Sequence, residues 1–464
     1  MSGSSTIRAE DRSGPDLTRQ LAARSSAISF AELPSDIVEL ARQCLLDWLG
    51  VTLAGASEPA VKILIDEIRE QGGNPQASLI PDGVKVTTLQ AGLVNGTASH
   101  ALDYDDVNWS LEGHPSAAVI PGLLALAEYR KASGVEFITA FVAGYETACR
   151  IGRLVSPSHY KHGFHATATV GTFGAAAACA RLLGLDAETT ATALGIAGTQ
   201  AAGLKSMFGT MCKPLHAGKA AQNGLFAASL AARAFESRMD VLECPQGFSA
   251  TQSDDFNFDK ALEDPASGYY LRANLFKYHA ACYLTHSVVE CCRRLRGQVK
   301  TGLDSIKEIR IHVDRTLDGV CNIPEPRTGN EAKFSLRLMA AFALAGIDTS
   351  SSESYTAQNC ADQSLIALRD KVAVEFESGW PATKAEVTLV TEGIGAPWKL
   401  HDSRDSGIPA EDLKAQRARL EAKFHSLVSP ILGADNASRL SAAIGDLERM
   451  QNVEGLLLLC NSNR

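Results

Sequence analysis

Thr167-Ala-Thr-Val-Gly171-Thr-Phe-Gly174-Ala-Ala-Ala-Ala-Cys179-Ala-Arg-Leu-Leu183 is the stretch on which the fold turns. Its glycine pair is not a dinucleotide fingerprint, because no strand precedes it. Gly171 and Gly174 lie inside a helical pattern, where small side chains let neighbouring helices approach closely. The same texture extends in both directions. Helical spacing rich in Ala and Gly covers 88–101, 115–131, 134–154, 167–183, 187–204 and 217–235, the composition of buried helices in a large bundle rather than of a solvated coiled coil.

Upstream, Leu33-Pro-Ser35-Asp opens a helix with Ser35 as its N-cap, and Ile37, Leu40, Ala41, Cys44, Leu45 and Trp48 follow at helical spacing. A second helix, 60–71, is ended by Gly72-Gly73, and 77–80 with 84–88 reads as a hairpin around Pro81-Asp-Gly83. Downstream of Asp240 the texture changes. The polar stretch 252–264 reads as containing a linker, 306–313 and 385–390 alternate like strands, and helical patterns at 285–295, 332–345 and 363–371 lie among them. Helical spacing returns from 409 to 460 and predicts a return to the first body. The expected fold class is therefore mainly α with an α+β part. A helical domain takes 17–268 and 408–464, a smaller α+β domain takes 269–407, and 1–16 reads as a disordered tail.

At 464 residues the chain exceeds one simple core. Its net charge of −9 argues against a nucleic-acid surface, since neutralising phosphates takes an excess of Lys and Arg on one face. A locally basic pocket in an acidic protein suits a small anion instead. The N-terminal residues lack the apolar core of a signal peptide. The longest apolar run, 117–127, is cut by Pro121 and Gly122 short of the roughly 18 residues of a membrane helix. The eleven cysteines lack CxxC spacing and read as reduced thiols. A cytoplasmic location without membrane or nucleic-acid partners is expected.

Eight of the eleven histidines fall between His100 and His286. Gly209-Thr-Met-Cys-Lys213-Pro-Leu-His216-Ala-Gly places a lysine and a histidine on a Pro-broken loop before a helix, where both can meet an anion; alone, it is equally a surface basic turn. Asp103-Tyr-Asp105-Asp106 with His114 lies between two helices and offers a carboxylate–imidazole dyad, or a capping Asp beside a surface His. Ser158-His159-Tyr160-Lys161-His162-Gly-Phe-His165 crowds three imidazoles together. Its spacing matches no zinc or iron signature, so no metal is expected. An anion site or general base at His165 is the better reading, with His159 and His162 merely exposed. Phe276-Lys277-Tyr-His279-Ala-Ala-Cys282-Tyr-Leu-Thr-His286 adds a cluster at the domain junction, a favoured place for ligands. No nucleophile-family pattern singles out Cys282.

Taken together, these motifs and Pro324-Glu-Pro-Arg327-Thr-Gly-Asn-Glu331-Ala-Lys333-Phe-Ser resemble the MmgE/PrpD family, from about residue 17 to the last helix. Its members include 2-methylcitrate dehydratase, cis-aconitate decarboxylase and iminodisuccinate epimerase. The resemblance implies a helical domain built from both chain ends with the 269–407 domain as a lid, a homodimer, and cofactor-free chemistry in the cleft between them. Its functional positions fall on Asp103, His114, His165 and Lys213, with Tyr160 where the epimerase branch has a catalytic tyrosine. His216, Lys277 and His286 are expected to bind substrate. The expectation is a hydro-lyase on a 2-methylcitrate-like di- or tricarboxylate: Lys213 stabilises charge on carboxylate oxygens, and Asp103 orients His114 for proton transfer. The alternatives are an epimerase using Tyr160 and Lys213, a decarboxylase, and a binding or scaffold protein that keeps the fold. The decarboxylase branch carries a tyrosine where this chain has Val320, which counts against cis-aconitate decarboxylation.

Overall fold

The computed structural model describes residues 16–300, 302–392 and 398–461; the expected tail, save Asp16, lies outside them. The chain builds its first body from α1 (Leu17–Ala27), α2 (Ser35–Gly55), α3 (Pro59–Gln71), α4 (Thr88–Ala101), α5 (Pro115–Arg130), α6 (Gly134–Val155), α7 (Ser158–Lys161), α8 (Ala166–Leu182), α9 (Ala187–Gly198) and α10 (Cys212–Ala231). Local chemistry sets several starts. Thr87 and Gln90 form a capping box at α4, Ser133 and Glu136 another at α6, and Pro115 occupies the first turn of α5.

Small residues then decide how the helices pack. A Cβ on Gly171 would lie 2.6 Å from the Ala118 Cβ, and one on Gly174 2.8 Å from the Ala148 Cβ, so the glycines that open the fold argument are contact points between α8 and its neighbours α5 and α6. Gly218 of α10 faces Gly96 of α4, where a Cβ would fall 2.2 Å from the Leu93 carbonyl. This close crossing brings the start of α10 beside the end of α4, which is where the candidate residues lie.

The second body is a four-stranded sheet of order β4–β3–β5–β6, with β3 Ile306–Asp314, β4 Val372–Glu377, β5 Lys384–Thr391 and β6 Trp398–Asp405. β3 pairs in parallel with β4 and antiparallel with β5, and β5 pairs antiparallel with β6. The His286–Arg296 and Leu336–Ala345 helices pack against each other and on this sheet. β1 (Ala77–Ser78) and β2 (Lys85–Val86) form a separate antiparallel pair. The Leu413–Leu432 helix packs on α2, and one continuous apolar core runs from Leu17 to Cys460.

Several local expectations need correction. α10 begins at Cys212, so Lys213 sits in its first turn and His216 at the start of its second, not on a preceding loop; Pro214 is tolerated there because first-turn N–H groups have no partner within the helix. Pro34, not Ser35, holds the N-cap position of α2. α9 stops at Gly198, six residues before the predicted end at 204. The 252–264 stretch is no linker: it folds into the Phe258–Leu262 helix, buries Ala261, and bonds Asn257 N to the Leu154 carbonyl at 2.8 Å. Strands β4 and β6 add to the two strands expected from the sequence; β4 is short and half-buried and β6 is polar, so neither carries a strong strand pattern. No single helix among the described residues is long and apolar enough to cross a membrane; α2 and α3 pass that test only together, across an 82° bend.

Candidate active site

The site grows from the end of α4. After Ala101 the chain turns sharply, with Asp103 at φ 52°, and this left-handed residue aims its carboxylate back toward α10. Lys213 Nζ donates to Asp103 Oδ1 at 2.7 Å. Lys277 Nζ reaches the same oxygen at 3.1 Å and the Asp103 carbonyl at 2.6 Å. Burial pushes the Asp103 carboxyl up, but the charges of Lys213, Lys277 and His114 outweigh it and hold the group well below the usual carboxylate range.

Two residues on, the buried Asp105 sits between two imidazoles. His100 Nδ1 lies 2.9 and 3.0 Å from its two oxygens, so that nitrogen carries the proton and donates. His114 Nδ1 lies 3.0 Å from Oδ2, near enough for an ion pair but not aligned as a hydrogen bond. His114 Nε2 faces Asp103 Oδ1 at 3.8 Å. Asp105 therefore lies nearer to His114 than does Asp103, the partner expected from the sequence. The start of α5 is further fixed by the His114 N–H, which donates to Thr167 Oγ1 at 3.1 Å.

The remaining imidazoles close around this centre. The His100 ring lies 4.5 Å from that of His114 and 5.8 Å from that of His165. His165 Nδ1 and His216 Nδ1 share a 3.1 Å hydrogen bond, in which one nitrogen donates and the other accepts. Burial, then the charges of His100 and Lys213, hold His165 well below the ordinary imidazole range; burial and Lys213 lower His216 as well. Burial brings His100 to about 4 despite Asp105, and its Nε2 has no hydrogen-bond partner. These rings are therefore neutral near pH 7, able to take or pass a proton rather than to hold a fixed charge.

Asp103, His114, His165, Lys213, His216 and Lys277 are thereby brought together. Tyr160 lies on α7, with the Lys205 ammonium 3.5 Å from its ring centroid. His286 stands apart: it donates from Nε2 to the His279 carbonyl at 3.1 Å and stacks on Tyr283, so its polar edge is committed to its own helix start. His159, expected to be exposed, is buried between the Gln252 carbonyl and Thr169 Oγ1. Val320 is 48% exposed, and the inward residue of that stretch is Cys321, whose free thiol hydrogen-bonds to the free thiol of Cys282. The tyrosine comparison at Val320 therefore says little about the interior of the site.

His100, Asp103, Asp105 and His114 each offer a ligand atom within 4.8 Å of the others, the one such donor group among the described residues. The donor set fits a cation poorly. Two ammonium groups already bind Asp103, and a divalent ion would have to displace them or sit beside them. Two open surface hollows, about 420 Å³ beside Arg439 and about 300 Å³ beside Arg153 and Lys260, contain none of these residues.

Beneath the site lies a contact that no local pattern announced. Lys423, from the C-terminal part of the chain, is buried and donates to Asp47 at 2.6 Å, to the Tyr104 carbonyl at 2.7 Å and to the Lys277 carbonyl at 2.8 Å. It ties three distant segments together directly behind Asp103 and Lys277. Burial raises Asp47 to about 6 even with Lys423 beside it.

Residues 19–261 match the model of the MmgE/PrpD N-terminal domain, and residues 279–449 that of the MmgE/PrpD C-terminal domain. The chain is 27% identical to human cis-aconitate decarboxylase, with 96% of this chain and 94% of that one covered. It is 33% identical to the cis-aconitate decarboxylase-like protein oryM of Aspergillus oryzae over 96% and 97%. It is 28% identical to a cis-aconitate decarboxylase of Aspergillus terreus over 69% of each.

Proposed function

Since the chain belongs to the MmgE/PrpD family, whose matched relatives are enzymes, we propose that it is a lyase breaking a bond next to a carboxylate of a small di- or tricarboxylic acid, with loss of water as the first reading. The observation that carries this is the arrangement around Asp103: two lysine ammoniums on one carboxylate, with an Asp105-backed imidazole alongside. A substrate carboxylate meets the same two cations. As a proton leaves the neighbouring carbon, negative charge builds on that carboxylate, and Lys213 and Lys277 stabilise it more in the transition state than before.

Loss of water needs two proton transfers, and the site holds two separate imidazole systems. His114 Nε2 takes the proton from carbon, the C–O bond breaks as the C=C bond forms, and the His114 imidazolium so formed returns that proton to the departing hydroxyl, which leaves as water beside the neutral His165–His216 pair. The second reading, decarboxylation, is favoured by the names of the relatives. It breaks a C–C bond, releases CO2 and needs only one proton delivered to carbon.

Product analysis separates the readings. In D2O, a hydroxytricarboxylate such as 2-methylcitrate or citrate is expected to gain C=C absorbance without CO2 release. CO2 from cis-aconitate would select decarboxylation. Deuterium entering an unchanged skeleton would select epimerisation, and no change in any of these acids would overturn the reading.

A further inference from the structure

Lys333 is the residue of the Glu331-Ala-Lys-Phe-Ser motif that the site described so far leaves unused. The segment around it is pinned on both sides. The Lys333 carbonyl accepts the Cys282 N–H at 3.0 Å, the Phe334 carbonyl accepts the Ile323 N–H at 3.1 Å, and Ser335 Oγ donates to the Ile323 carbonyl at 2.6 Å. Lys333 is thus held against the same 277–282 stretch that delivers Lys277 to Asp103.

Its ammonium differs from those of its neighbours. Lys213, Lys277 and Lys423 each hold a carboxylate, at 2.7, 3.1 and 2.6 Å. Lys333 has no carboxylate within 4.0 Å among the described residues. Its nearest ring is that of Tyr355, 5.7 Å from Nζ to the centroid. Burial disfavours its charged form, Asp103 and Glu58 favour it, and Lys277 and Lys213 oppose it, so Lys333 stands within the field of the site. A half-buried ammonium with no carboxylate beside it among the described residues is costly unless an anion joins it.

We infer that Lys333 is the third cation of the site, supplied from beside the sheet-bearing part of the chain, and that it binds a carboxylate of the substrate other than the one held by Lys213 and Lys277. This rests on the polycarboxylate reading above. It makes Lys333 the residue that distinguishes a tricarboxylate from a shorter acid.

The test uses the full chain with Lys333→Met and Lys333→Arg, and two unreactive probes, tricarballylate with three carboxylates and succinate with two, titrated by calorimetry. Lys333→Met is expected to weaken tricarballylate about tenfold or more, to leave succinate within about twofold, and to raise KM far more than it lowers kcat. Lys333→Arg should recover most of the loss. Unchanged tricarballylate binding, or equal weakening of both probes, would overturn the role of Lys333 while the polycarboxylate reading stands. A wild-type protein that binds and converts no polycarboxylate would overturn both.

Discussion

Lys213→Ala is expected to lower kcat/KM by about 10²–10³, with most of the loss in kcat, because the ammonium acts on charge that develops only as the bond breaks. The fold should survive. The Lys213 side chain is 17% exposed, lies in the first turn of α10, and leaves Asp103 still paired with Lys277. The measurement is steady-state kinetics on the acid found by product analysis, with a melting curve to confirm folding. Lys213→Arg keeps the charge but not the reach and is expected to fall between. Full activity in Lys213→Ala would remove the electrostatic basis of the mechanism. Loss of activity with intact binding of a protein partner would point back to the scaffold alternative.

Lys423→Met is expected to have the largest effect on stability, about 3–5 kcal/mol, because it leaves the Asp47 carboxylate buried without its cation. The loss should depend on pH in a defined direction. Asp47 already titrates near 6 in the folded protein, above an ordinary carboxylate, so folding favours its protonated form. Removing Lys423 raises that value further. The folded variant then binds a proton that the unfolded chain releases, and its stability falls by about 1.4 kcal/mol per pH unit between the two values. Denaturant melts should show a deficit larger at pH 8 than at pH 5. The double variant Asp47→Asn with Lys423→Met should recover part of it, since both charges are then gone.

How much of this was legible in the sequence follows from how local each signal is. Helices α4, α5, α6 and α8 were placed within a residue because capping residues, prolines and the small-residue pattern agree there. The start of α10 carries a misleading local signal, because Pro214 has the look of a breaker although a first-turn proline breaks no hydrogen bond. Of the six candidate residues that meet, Asp103, His114, His165, Lys213 and His216 lie at helix ends, whereas Lys277 comes from the irregular stretch before the His286–Arg296 helix. The closer approach of Asp105 than of Asp103 to His114 could not be read, since it depends on one left-handed backbone angle. Lys423 sits on a helix with an ordinary charged pattern, and only the packing of that helix on α2 brings it to Asp47. Lys333 belongs to the Glu331-Ala-Lys333-Phe-Ser motif, but that its ammonium meets no carboxylate among the described residues shows only in the assembled structure.

The most direct test is a crystal structure of the protein with tricarballylate bound. One carboxylate is expected within about 3 Å of both Lys213 Nζ and Lys277 Nζ, with the His114 ring facing the adjoining carbon. A ligand seated elsewhere, such as in the hollow beside Arg153 and Lys260, with Lys213 and Lys277 still closed on Asp103, would contradict the account.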